Sequence, residues 1–550
     1  MLQGLYIHPC AVHGRCRRPP CARLGRFIPK ASGMATEVEL KLAFPADALA
    51  AVEAHPLIAA STAHGPEKLL DNIYYDTPDL VLHANRIAVR TRRIGERMLQ
   101  TIKCAAQSVG GLSSRPEWEQ PYTGSFDFST VDVPDVQTLL IQRQADLLPV
   151  FSTVFRRQTR LATPRPGVRI LLMIDHGKVV TGDDAAPISE LELELAEGSP
   201  ADLLDFAIAL GQDLPLLPQD VSKAERGFRL FRQETEQAQR PGKLRLNRQL
   251  TALEAYRHLI GEAQRCWLAN LHGALNHPEE PEFIHQYRVT LRRMNTLIKL
   301  FRPVLDPAYA VEWTATLKGL ARQSGEARDL DVMIESILQP MSCTEEASPH
   351  QALVQQMLAA TLAHRQAAEA AFAGSISPQP ILHFTRAQLL LDMSRDLPAA
   401  RFVEKRLSKL HRRAVRHYQA ASMNPTAEAA HRLRIALKHL RYSCEYFSPL
   451  FADEAMLTDY ARQAARIQDD LGFINDVHQA RARLAAWSAD DAALRAGLQL
   501  LENWYQGEVD RRLQGALDKT GTLLGECLPW CMACERHGKP ARRHLKDSVE

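Results

Sequence analysis

The sequence predicts an α+β chain, an N-terminal eight-stranded antiparallel β-barrel followed by an all-α helical bundle of two repeated units. Three observations carry this. From about residue 34 to about 196 apolar and polar residues alternate with period two. Beyond about residue 249 the period changes to 3.6. The helical half then contains one motif twice, "HQYRVTLRRMNTLIKLF" at 285–301 and "HRLRIALKHLRYSCEYF" at 431–447, offset by 431 − 285 = 146 residues. At 550 residues the chain is longer than one ordinary core, so two or more domains are expected.

The elements follow in order. Residues 1–33 are basic, broken by proline and show neither period; they read as a disordered leader or upstream extension, with Met34 as the natural start. Candidate strands are 35–44, 70–76, 86–93, 97–104, 115–122, 152–163, 168–180 and 188–196, divided by turn sequences such as "DTPD", "RIGER" and "DHGK". Closure into a barrel removes exposed strand edges. Helical patterns fall at 46–59, 134–147, 200–211 and 220–232. The barrel domain is placed at 34–232, a polar linker holding Pro241-Gly242 at 233–248, the helical domain at 249–520 and a tail at 521–550.

Composition narrows the classes. Apolar residues make up 45% and charged residues 24%, a globular composition, and the net charge of +3 says less than its distribution. No run of eighteen apolar residues exists, so no membrane partner is expected. The N-terminus lacks the apolar core of an export signal. The ten cysteines mostly stand alone, which suits a reduced, cytoplasmic protein. Cys527, Cys531 and Cys534 include one CxxC without a second pair, and no role is assigned to them.

Strand charges point to chemistry. In "ATEVELKLAF" the side chains of Glu37, Glu39 and Lys41 share one face and Val38, Leu40 and Leu42 the other. The pattern recurs in Arg90 and Arg92, Lys103, Arg115 with Glu117 and Glu119, Arg157, and Glu190, Glu192 and Glu194. Acids cluster in the first and last strands and bases between them. If these faces line a wet lumen, an acidic wall opposes a basic one, an arrangement suited to a polyanion with a hard divalent cation. Neither a Ser/His/Asp set nor a Gly-rich phosphate loop is evident, which favours attack by metal-activated water over covalent catalysis.

In "EVELK", "LLDNIYYDTPD", "RIAVRTRR", "TIK", "GGLSSRPEWE", "FSTVFRR", "ISELELEL" and "VSKAERGF", the chain from Thr36 to about residue 230 resembles the CYTH, or triphosphate tunnel metalloenzyme, superfamily, and most of all its bacterial inorganic triphosphatases. The resemblance implies a tunnel holding inorganic triphosphate with Mg²⁺ or Mn²⁺. It implies Glu37, Glu39, Glu192 and Glu194 as metal ligands, with Glu190 and Asp175 as lesser ones. Lys41 and Lys223 would be catalytic, and Arg90, Arg92, Lys103, Arg115, Arg157 and Arg226 would grip the phosphates. Nucleoside or thiamine triphosphatase and adenylate cyclase activities share the same tunnel charges, and a non-catalytic polyphosphate-binding protein is the remaining alternative.

In the first repeat Ile284, Tyr287, Leu291, Met294, Ile298 and Phe301 form an apolar stripe flanked by His285, Arg288, Arg292 and Lys299. The second repeats it with Ala430, Leu433, Leu437, Leu440, Cys444 and Phe447 beside His431, Arg434, Lys438 and Arg441. Lys405, Lys409, Arg412 and Arg416 add a third basic stripe with little compensating acid. With the acidic segments "GEARDLDV" and "QDDLGFINDV", this half resembles the CHAD domain over about residues 245–520, which implies binding of inorganic polyphosphate and association with polyphosphate granules. Nucleic acid is not expected as a partner, and the sequence does not set the oligomeric state.

Overall fold

The computed structural model describes residues 37–104, 108–242, 246–342, 350–377, 379–392, 397–451, 453–489, 491–526 and 528–530. The leader, Cys527, Cys531 and Cys534 lie outside them, as do the side chains of Glu37 and Arg115. The chain divides into two compact units, one of residues up to Gln237 together with Ser377–Leu390, the other of Ala238–Ile376 and Leu391 onward.

The first unit is built on β1 (Glu37–Ala43), β2 (Thr62–Ala63), β3 (Lys68–Asp76), β4 (Ile87–Ile94), β5 (Arg97–Cys104), β6 (Leu112–Arg115), β7 (Glu117–Pro121), β8 (Leu148–Arg165), β9 (Val168–Thr181), β10 (Asp184–Glu197) and β11 (Leu217–Pro218). Antiparallel pairing runs β1-β10-β9-β8-β3-β4-β5-β7, and β6 returns to β1. Only Pro116, which has no ladder N–H to donate, separates β6 from β7. Counted as one broken strand, they close a circuit of eight. The two-residue β2 and β11 pair at its margin with β8 and β1. The sequence pattern locates the main strands but starts the broken one at 115, leaving out most of β6, and misses the two short ones.

Period two decides which face is dry. Leu40, Leu42, Ile170, Leu172, Leu191 and Leu193 point outward and pack beneath the helix Pro200–Leu210, through Leu203, Leu204, Ala207 and Leu210. Ser199 and Asp202 form the capping box that starts this helix. Each such leucine contributes about 1.5–3 kcal/mol by leaving water. The charged residues between them must then face the lumen.

The helix Gln379–Leu390 joins this outer layer. Leu382 enters the same core, Arg386 Nε donates to Asp205 Oδ1 at 2.5 Å, and Gln379 Nε2 donates to the carbonyl of Ile208 at 2.7 Å. The sequence reading had put residues 249–520 in one continuous helical domain. A 3.6 period shows that a helix has a buried face, not which core that face joins.

One end of the lumen is stopped by the helix Lys223–Phe231, capped by the Ser222 hydroxyl accepting from Glu225 N at 3.1 Å. Phe228 and Phe231 pack on Leu70, Tyr74, Phe151, Phe155, Val179 and Ile188. Outside, His83 Nε2 lies 3.1 Å from Glu225 Oε2. A β-carbon on Gly227 would sit 2.0 Å from the Phe151 ring. Gly227→Ala is therefore expected to destabilise this unit by about 1–3 kcal/mol, read as a lowered melting temperature.

The second unit repeats itself. Helices Ala252–Asn276 and Pro281–Phe301, of 25 and 21 residues, recur with the same lengths as Ala399–Met423 and Ala427–Phe447. Longer helices, Glu454–Trp487 and Ala492–Gly525, complete the second copy. Both predicted apolar stripes are buried throughout. Among the described residues no helix is long and apolar enough to cross a membrane.

Candidate functional site

The lumen is layered. Deepest, against the stopper helix, Glu190 pairs across strands with Asp175, and Asp175 with Arg157. Lys223 Nζ enters among the acids, 2.7 Å from Asp175 Oδ2 and 3.1 Å from Glu192 Oε1, and also contacts Glu190. Arg157 Nη2 reaches Asp175 at 2.6 Å and Glu192 at 2.5 Å, and Arg226 closes on Glu190. Oxygens of Asp175, Glu190 and Glu192 all lie within 4.8 Å of one another. Lys223 also stands 5.0 Å above the Phe155 ring centroid.

Burial would push the Glu192 carboxyl up, but Lys223, then Arg157, Lys41 and Lys103, hold it well below the usual carboxylate range. Lys223 is raised in turn: burial opposes its charge, and Asp175, Glu190 and Glu192 outweigh burial. Three acids face three bases here, so the layer is close to neutral.

The next layer brings further carboxylates together. Glu39 and Glu194 are cross-strand neighbours. Lys41 Nζ donates to Glu39 at 2.6 Å, Ser113 donates to the same oxygen at 3.1 Å, and Lys103 meets Glu117 at 2.5 Å. Glu194 is pushed above the ordinary glutamate value by burial and then by Glu39, against the pull of Lys103. Glu117 and Glu192 add to the same upward push, so Glu194 sits where neighbouring carboxylates repel its charge.

Facing the acids is β4. Arg90 Nη1 donates to Tyr74 Oη at 3.3 Å, and its Nη2 lies 3.9 Å from Glu117. Arg92 Nε donates to Asn72 Oδ1 at 2.7 Å. Burial, then the charges of Arg90 and Arg157, bring Arg92 down to about 9. The sequence pattern picks out the bases of this wall and places Glu117 on the charged face without giving it a role, but it passes over Asn72 and Tyr74. Glu117 carried a signal, its period-two position beside Arg115; Asn72 and Tyr74 gain meaning only from the register that sets them opposite Arg92 and Arg90.

In the second unit the two repeats bring their cations together. Burial, then Arg292, Arg434, Arg441 and Arg288, press Lys438 well below the lysine range. Burial also lowers Arg292, with Arg434 and Arg328 acting in the same sense. The Nε atoms of Arg288, Arg292 and Arg441 are buried without a partner among the described residues. His285 is pushed down to about 4 by burial and Arg328, so it is neutral here at pH 7. His431 is exposed, with Nδ1 2.9 Å from Asn475 Oδ1. Lys405, Lys409, Arg412 and Arg416 lie on the exposed side of their helix. On the same helix Arg406 instead donates to the Lys299 carbonyl at 3.3 Å, and the exposed Arg413 bears on Lys299 and His439 through its charge.

Residues 35–228 match the CYTH domain family model, and residues 258–485 match that of the CHAD domain. The chain carries a CYTH domain followed by a CHAD domain. The CYTH part is similar to an inorganic triphosphatase of Haemophilus influenzae, 32% identical over 198 residues, which are 36% of this chain and 55% of that protein. The chain thus spans about half the length of this relative. Among solved structures, the CHAD domain of the plant Ricinus communis is 24% identical with a TM-score of 0.44, over 52% of this chain and 97% of that one. A Hippeastrum protein assigned as an adenylyl cyclase and described with a dominant triphosphatase activity is 17% identical with a TM-score of 0.26, over 35% of this chain and 95% of that one.

Proposed function

We propose that the CYTH lumen hydrolyses inorganic triphosphate to pyrophosphate and phosphate with a divalent metal, Mg²⁺ or Mn²⁺, and that the CHAD domain binds inorganic polyphosphate. The observation carrying the first part is the opposition of the two walls: Glu194, raised by burial and by Glu39, stands among carboxylates, and Arg90, Arg92 and Lys103 face them.

The donor chemistry fits a hard cation, because every acidic donor is a carboxylate oxygen. Asp175, Glu190 and Glu192 converge most tightly but are already compensated by Lys223, Arg157 and Arg226. Glu39 and Glu194, where carboxylates repel, gain more from a cation and are the better holders, with Glu192 between the layers. Bound there, the metal supplies charge neutralisation of phosphate oxygens and an acidified water. The chain's residues do the rest. Arg90, Arg92 and Lys103 hold the phosphate chain through charge-assisted hydrogen bonds and offset charge on the departing pyrophosphate. Lys41 fixes Glu39, and Lys223, fed in from the stopper, sits beside the innermost phosphate.

For the second part, Lys438 and its arginine neighbours form a buried cationic cluster that an extended phosphate anion would complete. Phosphate release should be largest with inorganic triphosphate in a panel with ATP, thiamine triphosphate and long-chain polyphosphate, and should vanish with chelator. Faster release from ATP would move the reading to a nucleotide substrate.

A further inference from the structure

We infer that Asn72 is a positioning residue: it fixes Arg92 in the lumen without neutralising it, so that the full guanidinium charge is presented to the phosphate anion. Asn72 is completely buried on β3. Its Nδ2 donates to Thr153 Oγ1 at 2.9 Å and to the Thr153 carbonyl at 3.3 Å. A carbonyl can only accept, so the amide cannot be flipped. Oδ1 therefore points across the register to Arg92, whose Nε, able only to donate, meets it at 2.7 Å.

The choice of a neutral acceptor matters because of what surrounds it. Lys41, Lys103, Arg157, Lys223 and Arg226 each contact at least one carboxylate. Among the described residues Arg92 has no carboxylate within ion-pair distance, and Glu119 acts on it only from further away. An amide oxygen sets the plane of the guanidinium through Nε and leaves both terminal nitrogens toward the lumen. Tyr74, two residues along the same strand, offers a phenol oxygen to Arg90, but at Nη1, and Arg90 also has Glu117 at 3.9 Å. Two successive inward positions of β3 thus place neutral oxygens against the two inward arginines of β4.

This rests on the reading of the lumen as a triphosphate site, and the test separates the two. In the full-length protein Asn72→Asp places a carboxylate against Arg92 in nearly the same volume, and Asn72→Leu removes the acceptor. Both should raise the KM for inorganic triphosphate, by about tenfold or more for Asp as a charge-assisted contact is cancelled, with kcat falling less. A structural role alone would lower the melting temperature without that split. Substrate-free ¹⁵N-arginine spectra, assigned with Arg92→Lys, should show a slowly exchanging Arg92 Nε–H that Asn72→Leu abolishes. KM values within twofold of wild type in both folded variants, or an unchanged Nε–H signal, would overturn the inference. A protected Nε–H in a wild-type protein that does not bind or cleave triphosphate would uphold the Asn72–Arg92 support and overturn the substrate reading instead.

Discussion

Lys223→Met is expected to destabilise the CYTH unit by about 3–5 kcal/mol and to remove nearly all turnover, because it strips the central cation from a buried acidic cluster. Asp175, Glu190 and Glu192 would keep only Arg157 and Arg226. The pH dependence gives a sharper readout. Glu192 is depressed in the folded state, so its contribution is present above the unfolded glutamate value, about 4.3, and disappears as pH falls through the lower folded value. Without Lys223 the opposing cations weaken while burial remains, so the loss should begin at higher pH. Acid unfolding followed by circular dichroism should therefore show a midpoint shifted upward. Turnover should fall about 100-fold or more, the scale of losing one preorganised charge at a reacting phosphate. Lys223→Arg, which keeps the charge, should recover stability more than activity. A Met variant as acid-resistant as the parent would mean that Arg157 and Arg226 suffice and that Lys223 is not the keystone of the cluster.

Lys438→Met should do the opposite to stability. Burial and four neighbouring arginines oppose charge at Lys438, so an apolar side chain of similar length relieves repulsion and should stabilise the CHAD unit by about 1–3 kcal/mol. The sign with pH is distinctive. A lysine lowered by folding penalises the native state wherever the unfolded chain is protonated, so wild-type stability should rise as pH climbs from the folded value toward about 10.4, and the variant should lack that rise. Affinity for long-chain polyphosphate should fall about tenfold, with a shallower salt dependence because fewer counterions are released, by analogy with nucleic acids. Thermal melts across pH and binding measured against salt would check both. A variant that loses stability, or that binds polyphosphate as tightly as the parent, would show that the cluster is a fixed structural feature and not an anion site.

Legibility differed by the range of the interaction. Period two in the strands requires only that one face be dry, so the barrel and its inward charges are readable from Glu39 to Glu194. The repeat at 285 and 431 likewise survived because a helix carries its own pattern. Register was not readable: that Asp175 and Glu190, ranked as lesser ligands, share the tightest cluster with Lys223 depends on pairing between β9 and β10. The basic stripe Lys405, Lys409, Arg412 and Arg416 shows the limit of charge counting, since spacing finds a face but not what lies opposite it. Here that face meets solvent, while Arg406, off the stripe, donates to the Lys299 carbonyl.

The helix Gln379–Leu390 also changes what counts as a module. Its outer-layer seat beside Pro200–Leu210 is filled by a segment about 170 residues downstream in sequence, with Gln379 bonded to Ile208. Excising the gene after residue 232 would therefore yield a barrel missing one of its own staves, with Leu203, Leu204 and Ala207 stripped of a neighbour. The excised remainder would carry an orphan helix whose sticky side has lost its seat. Scissors applied at the linker would follow the sequence and cut across the fold, and recombination that shuffled either half alone would be penalised in solubility before any activity was tested.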